Sequence, residues 1–180
     1  LAQNGDCKRF YVPAVCFMQG ESDIVDYPGT DFHKLLLQFK EDINHDIKAI
    51  THQTEDVRII TYQANALARA EQFYATNYDC RETHVPQTFV DLLLTDTLFW
   101  ASGPTYPYSV VREVVHIDGP SQKQMGHLEA LSALAILRHG QRITGLLPTS
   151  FEYSDSSVSI HFNVPCPPLV LDTMQVSKDD

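Results

Sequence analysis

Two hydrophobic periodicities run along this chain, and the switches between them predict its elements. Phe10 to Met18 is an almost unbroken apolar run, the pattern of a strand buried on both faces of a parallel sheet. Pro13 interrupts it, and a residue without a ladder donor favours a sheet edge or a strand start. The Pro-Gly pair within Asp26 to Thr30 marks a loop. From Asp31, a side chain suited to capping, Phe32, Leu36, Phe39, Ile43, Ile47 and Ile50 recur at spacings of four and three. That stripe predicts an amphipathic helix with Lys34, Glu41 and Lys48 off its buried side. Val57 to Tyr62 predicts a second strand and the alanine-rich stretch Ala64 to Tyr74 a helix. Gln87 to Leu94, after Pro86, predicts a further helix, and Thr97 to Ala101 a third strand. Ser121 to His139 predicts a last helix with Met125, Leu128, Leu131, Leu134 and Leu137 inward, ended by Gly140.

Strands alternating with helices argue for an α/β fold, a three-layer α/β/α sandwich around a parallel sheet over residues 1–140. The tail changes character. Between Ser157 and Val164, Val158, Ile160 and Phe162 alternate with Ser159, His161 and Asn163, the period of a half-exposed antiparallel strand. Pro165, Pro167 and Pro168 end it. Residues 141–180 therefore read as an appended β segment or the start of another domain.

A length of 180 residues suits one domain, and 43% hydrophobic content suffices for a core. The net charge of −10 argues against nucleic acid and anionic membrane as partners, because surfaces that bind phosphate are basic. No apolar run approaches the roughly 18 residues of a membrane span. No basic-then-apolar leader opens the chain, and Leu1 rather than Met suggests a processed product or part of a longer polypeptide. Cys7, Cys16, Cys80 and Cys166 are widely spaced, without zinc-finger spacing. Cys16 reads as a small core residue, while one bridge among the other three is permitted and unassigned.

Chemistry concentrates at two places. Gln19-Gly20-Glu21-Ser22-Asp23 leaves the first strand at its carboxyl end, where open parallel sheets bind ligands. Gly20 allows a tight turn, Gln19 offers an amide donor, and Asp23 also reads as a helix cap. Glu113-Val114-Val115-His116 sets a carboxylate and an imidazole within reach of one site, ahead of a Gly119-Pro120 turn. A neutral histidine can take a proton from a hydroxyl nucleophile while a carboxylate fixes its tautomer. The histidines at 33, 45, 52, 84, 116, 127, 139 and 161 form no His-Glu-x-x-His or similar ligand set, so no metal or cofactor is expected. His127 could approach His116 from the last helix, but it reads more simply as solvated. Trp100, Tyr106 and Tyr108 cluster near the third strand's end, stiffened by Pro104 and Pro107. They suit either a platform for sugar rings or core packing and loop anchoring.

These motifs resemble blocks of the SGNH-hydrolase superfamily, in its sialate and acetylxylan O-acetylesterase branch. Gln19 to Asp23 is similar to the third block; Glu113-x-x-His116-Ile117-Asp118-Gly119, with Gly126 following in a helix, is similar to the last. The resemblance spans roughly Phe10 to His139. It implies an α/β/α serine esterase that removes O-acetyl groups from carbohydrate, in an extracellular or secreted setting that includes periplasm and virion. His116 would be the general base and Glu113 its partner, with Asp118 a substitute because the family shows Asp-x-x-His. Gln19 and Gly20 would stabilise the oxyanion, and Glu21, Ser22, Asp23, Trp100 and Tyr106 would contact substrate. The family's serine sits on a Gly-Asp-Ser or Gly-Gln-Ser turn after a first strand, and this chain has no match. Gly5-Asp6-Cys7 lacks a preceding apolar strand, and Ser22 lacks the Gly-x-Ser-x-Gly elbow. The expectation is that residues 1–140 are the C-terminal portion of the domain, and that a missing N-terminal segment, a second chain or a cleaved fragment supplies the serine and covers the strand at 10–18. The competing expectation is a non-catalytic glycan-binding or structural module, as in a viral tail or surface assembly.

Overall fold

The computed structural model describes residues 10–25, 31–64, 83–109, 116–164 and 167–170. Within these, three parallel strands form one sheet in the order β1-β2-β3: β1 (Ala14–Phe17), β2 (Arg58–Gln63) and β3 (Phe99–Pro104). Val15 lies beside Ile59 and Ile59 beside Phe99, so the registers run straight across the centre. The helices are α1 (Glu21–Val25), α2 (Phe32–Thr51), α3 (Val85–Thr95) and α4 (Gly119–Leu137). A separate antiparallel pair, β4 (Leu147–Tyr153) and β5 (Val158–Asn163), follows. The protein is thus mixed α/β with a parallel sheet and a distinct antiparallel hairpin. No described helix is long and apolar enough to cross a membrane. The helix expected over Ala64 to Tyr74 falls mostly outside the described residues, as do Cys7, Cys80, Cys166 and Glu113.

The first strand differs from its expectation. It is four residues long, and Phe10, Tyr11 and Met18 stand at or near half exposure beside it. Its position explains this: β1 is an edge strand of the described sheet, with β2 as its ladder partner. Pro13 precedes it, and the Pro13 carbonyl accepts from Arg58 N at 3.1 Å. Gln53 extends the pairing with its side chain, bonding both the N–H and the carbonyl of Val12. Cys16 is exposed rather than a core residue, since it sits on that edge strand and β1 is only partly covered.

The helix at 32–51 starts as its cap predicts. Asp31 Oδ1 accepts from Lys34 N at 3.0 Å. Phe32 and Leu36 are buried, but Ile50 is not, and the third buried position is polar. Asn44 Nδ2 donates to the Val57 carbonyl at 3.1 Å, and Asn44 Oδ1 accepts from Val57 N at 2.8 Å. This two-way bond ties α2 to the start of β2 and satisfies backbone groups that the ladder leaves over.

The main core collects Ile59, Phe99 and Ala101 with Ile24, Leu36, Phe89 and Leu92 from α1, α2 and α3. A smaller cluster joins Ile60 and Trp100 to Ile136 of α4, with Ala133 and Ala135 against it. Neighbouring residues of a strand point to opposite faces, so the two clusters lie on opposite sides of the sheet.

On α4 the inward face is not the expected leucine stripe. Ser121, Met125, Ser132 and Ile136 are buried, while Leu131, Leu134 and Leu137 are exposed. Close approach to the sheet needs small side chains, and Ser132 Oγ donates to the Ala101 carbonyl across that contact. The helix stops at Leu137, before Gly140, because His139 takes the left-handed position with φ 51°. The expected apolar face of β5 is also uncovered: Val158, Ile160 and Phe162 are all exposed.

Candidate active site

At the carboxyl end of β1 the chain passes through Met18 and Gln19 to Gly20, then turns into α1. Gly20 has φ +149°, and a Cβ there would meet Ala64 Cβ at 3.0 Å and Phe89 and Val85 at 3.2 Å. Only glycine fits both the dihedral and the gap. The Gly20 carbonyl accepts from Ile24 N at 3.0 Å, and Ile24 is fully buried beneath. Glu21, Ser22 and Asp23 therefore occupy the first turn of a short helix rather than the loop expected for them.

Two other strand ends converge on this turn. Tyr62, near the end of β2, donates from Oη to Glu21 Oε2 at 2.7 Å. Beyond β3, Thr105 is fastened to the Gln63 carbonyl through its N–H at 3.1 Å and its hydroxyl at 3.2 Å. The fourth wall is the start of α4. Asp118 caps it, with Oδ1 accepting from Ser121 N at 2.8 Å, and Gln122 Nε2 donates to the Ile117 carbonyl at 3.0 Å. His116 and Ile117 lead into that cap.

These pieces enclose an open cleft of about 560 Å³. Gln19, Gly20, Glu21 and Ser22 line one side, His116 and Ile117 another. Tyr62 and Thr105 come from the strand ends, and Gln122, Met125, Gly126 and Glu129 from α4. The turn after the first strand and the histidine, distant in sequence, thus share one cavity. Asp23, Trp100 and Tyr106 are not among the described lining. Trp100 is buried with Ile60 and Ile136, so it offers no ring face for a sugar to stack on, and its Nε1 has no hydrogen-bond partner. Tyr106 is exposed, and Tyr108 is buried in the main core. Asp118 has a capping duty, and that bond to Ser121 holds its carboxyl below the ordinary range. Glu113 lies outside the described residues.

Burial dominates the electrostatics of the cleft. It pushes the Glu21 carboxyl up, against the Tyr62 hydrogen bond and the nearby His116, which pull it down. Burial raises the Tyr62 phenol too, and the Glu21 charge adds to this. Burial alone raises Glu129, whose Oε1 is enclosed without a hydrogen-bond partner. On the flank, the Cys16 thiol is pushed up by burial and then by the Glu129 charge. Among the described residues, no three His, Cys, Asp or Glu side chains group so as to hold a metal ion.

Tyr62 and Glu129, which line the cleft, are not singled out by the sequence reading. Glu129 left a signal: it stands four residues after Met125 and three before Ser132, a charge on the buried stripe of α4. Taking the leucines as the inward face hid it. Tyr62 gave none, since a tyrosine closing an apolar strand is ordinary.

No protein-family model, curated protein or solved structure matches the chain.

Proposed function

We propose that residues 1–140 are the C-terminal portion of a carbohydrate O-acetylesterase-type serine hydrolase domain, working through an acyl-serine intermediate, on a three-layer α/β/α sandwich. The observation that carries the reading is the shared cleft of His116 with Gln19 and Gly20. Apolar clusters on both faces of a parallel sheet support the layered fold. The serine comes from a second chain or cleaved fragment that carries the front of the domain and covers the strand at 10–18. The edge position of β1 supports such a neighbour.

In the reaction, the His116 imidazole takes the serine hydroxyl proton as Oγ bonds to the acetyl carbonyl carbon. The Gly20 N–H and the Gln19 amide hold the oxyanion, donors worth about 3 kcal/mol each when well placed. His116 then protonates the departing sugar oxygen as the ester bond breaks. Water, deprotonated by the same imidazole, releases acetate and restores the serine. Glu113 orients His116 throughout. The setting is extracellular or secreted.

A second reading is a glycan-binding or structural module on the same fold, as in a viral tail or surface assembly. One observation favours it: Ser22, the serine among the described lining, lies in a helical turn rather than on a strained elbow.

Turnover of 4-nitrophenyl acetate by the assembled protein separates the two. The hydrolase reading expects turnover that falls about 10²–10⁴-fold in His116→Ala, the usual worth of a general base. Turnover that His116→Ala leaves unchanged contradicts it.

A further inference from the structure

We infer that the cleft selects ligands that donate hydrogen bonds, hydroxyl-rich or amino-bearing sugar esters, and rejects carboxylated ones, with Glu129 as the selecting residue. This rests on the cleft being the ligand site of the reading above.

Two carboxylates, Glu21 and Glu129, line the cavity, and its described lining contains no Lys or Arg. The two are not equivalent. Glu21 Oε2 already accepts from Tyr62. Glu129 Oε1 is enclosed and accepts from no group. Buried acceptors are nearly always paired, so an unpaired one inside a ligand-sized cavity marks where a donor is wanted. Around it stand Tyr62, Tyr108 and Cys16, each close enough to feel its charge, and none supplies a hydrogen bond. The residue is half-buried on α4 and lines the cavity, so a ligand there lies beside its carboxylate. A sugar hydroxyl or ammonium delivers the missing donor. A uronic or sialic carboxylate instead sets a further acid beside Glu21 and Glu129, brings no donor once ionised, and meets no described Lys or Arg in the lining.

The test measures binding to the whole protein by NMR titration. Three probes share an O-acetyl group: a methyl xyloside, a methyl glucosaminide and a methyl glucuronide. The expected result is binding of the first two at least tenfold tighter than the glucuronide. Tighter binding of the glucosaminide than the xyloside makes the donor an ammonium; the reverse makes it a hydroxyl. Glu129→Gln keeps shape and an acceptor while removing charge, and should cut the preference over glucuronide at least threefold. Glu129→Ala, with fold checked by circular dichroism, should cut it too. Equal or tighter glucuronide binding, no binding of any probe, or a preference unmoved in both variants overturns the inference. Selective binding without ester turnover sinks the hydrolase reading alone; turnover without selectivity sinks this one alone.

Discussion

Tyr62 donates a 2.7 Å hydrogen bond to Glu21, and this one contact ties the end of the central strand to the helix that leaves the edge strand. It sets the floor of the cleft. Bonds to charged acceptors contribute about 1.5–3 kcal/mol. Tyr62→Phe should therefore cost about 1–2 kcal/mol in urea unfolding, since burial already raises the Glu21 carboxyl. A neutral substitution would show that the contact does not hold the two elements together.

Gly20 is the tightest point of the turn. Alanine there faces a φ of +149° and side chains of Ala64, Val85 and Phe89 within 3.2 Å. The expected loss is about 2–4 kcal/mol, combining backbone strain with overpacking. A thermal midpoint within one or two degrees of the parent would contradict this geometry.

Asn44 should behave as a core residue despite its polarity. Asn44→Ala strands both the N–H and the carbonyl of Val57 in buried surroundings. Each buried group left unpaired costs about 1–3 kcal/mol, so a loss of roughly 2–4 kcal/mol in denaturant unfolding is expected. Asn44→Asp should lose less at the N–H but cannot donate to the carbonyl.

Stability should fall as pH rises above the ordinary glutamate range. The Glu21 and Glu129 carboxyls are raised by burial, so between the unfolded and folded values the folded state holds more protons. Their contribution is complete below the unfolded pKa and is lost as pH rises through the folded one. Unfolding midpoints from pH 4 to 8 should show that decline, shallower in Glu129→Gln. An identical pH slope in the variant would rule Glu129 out as a source.

The alternation of periods makes much of the scaffold legible in the sequence alone. Asp31 caps its helix, and Arg58–Gln63 forms the strand expected over Val57 to Tyr62, because local hydrogen bonding and β-branched patterning act at short range. Pattern and structure part where tertiary contact decides. The leucines of α4 looked inward by spacing, yet close packing on Ala101 favoured Ser132. Apolar Phe10 to Met18 looked doubly buried, yet edge position leaves much of it exposed. That Gln19, Gly20 and His116 meet at one cleft was legible through motif and strand-end position. Glu129 and Tyr62 were not, since their part depends on which elements meet.

The account depends most on His116 serving a hydroxyl nucleophile at the cleft. Reaction of the assembled protein with a serine-directed fluorophosphonate, followed by mass spectrometry, probes this directly. The prediction is one covalent adduct on a serine, formed about 10²–10⁴-fold more slowly in His116→Ala. No adduct, or one formed at the same rate without the imidazole, would contradict the account.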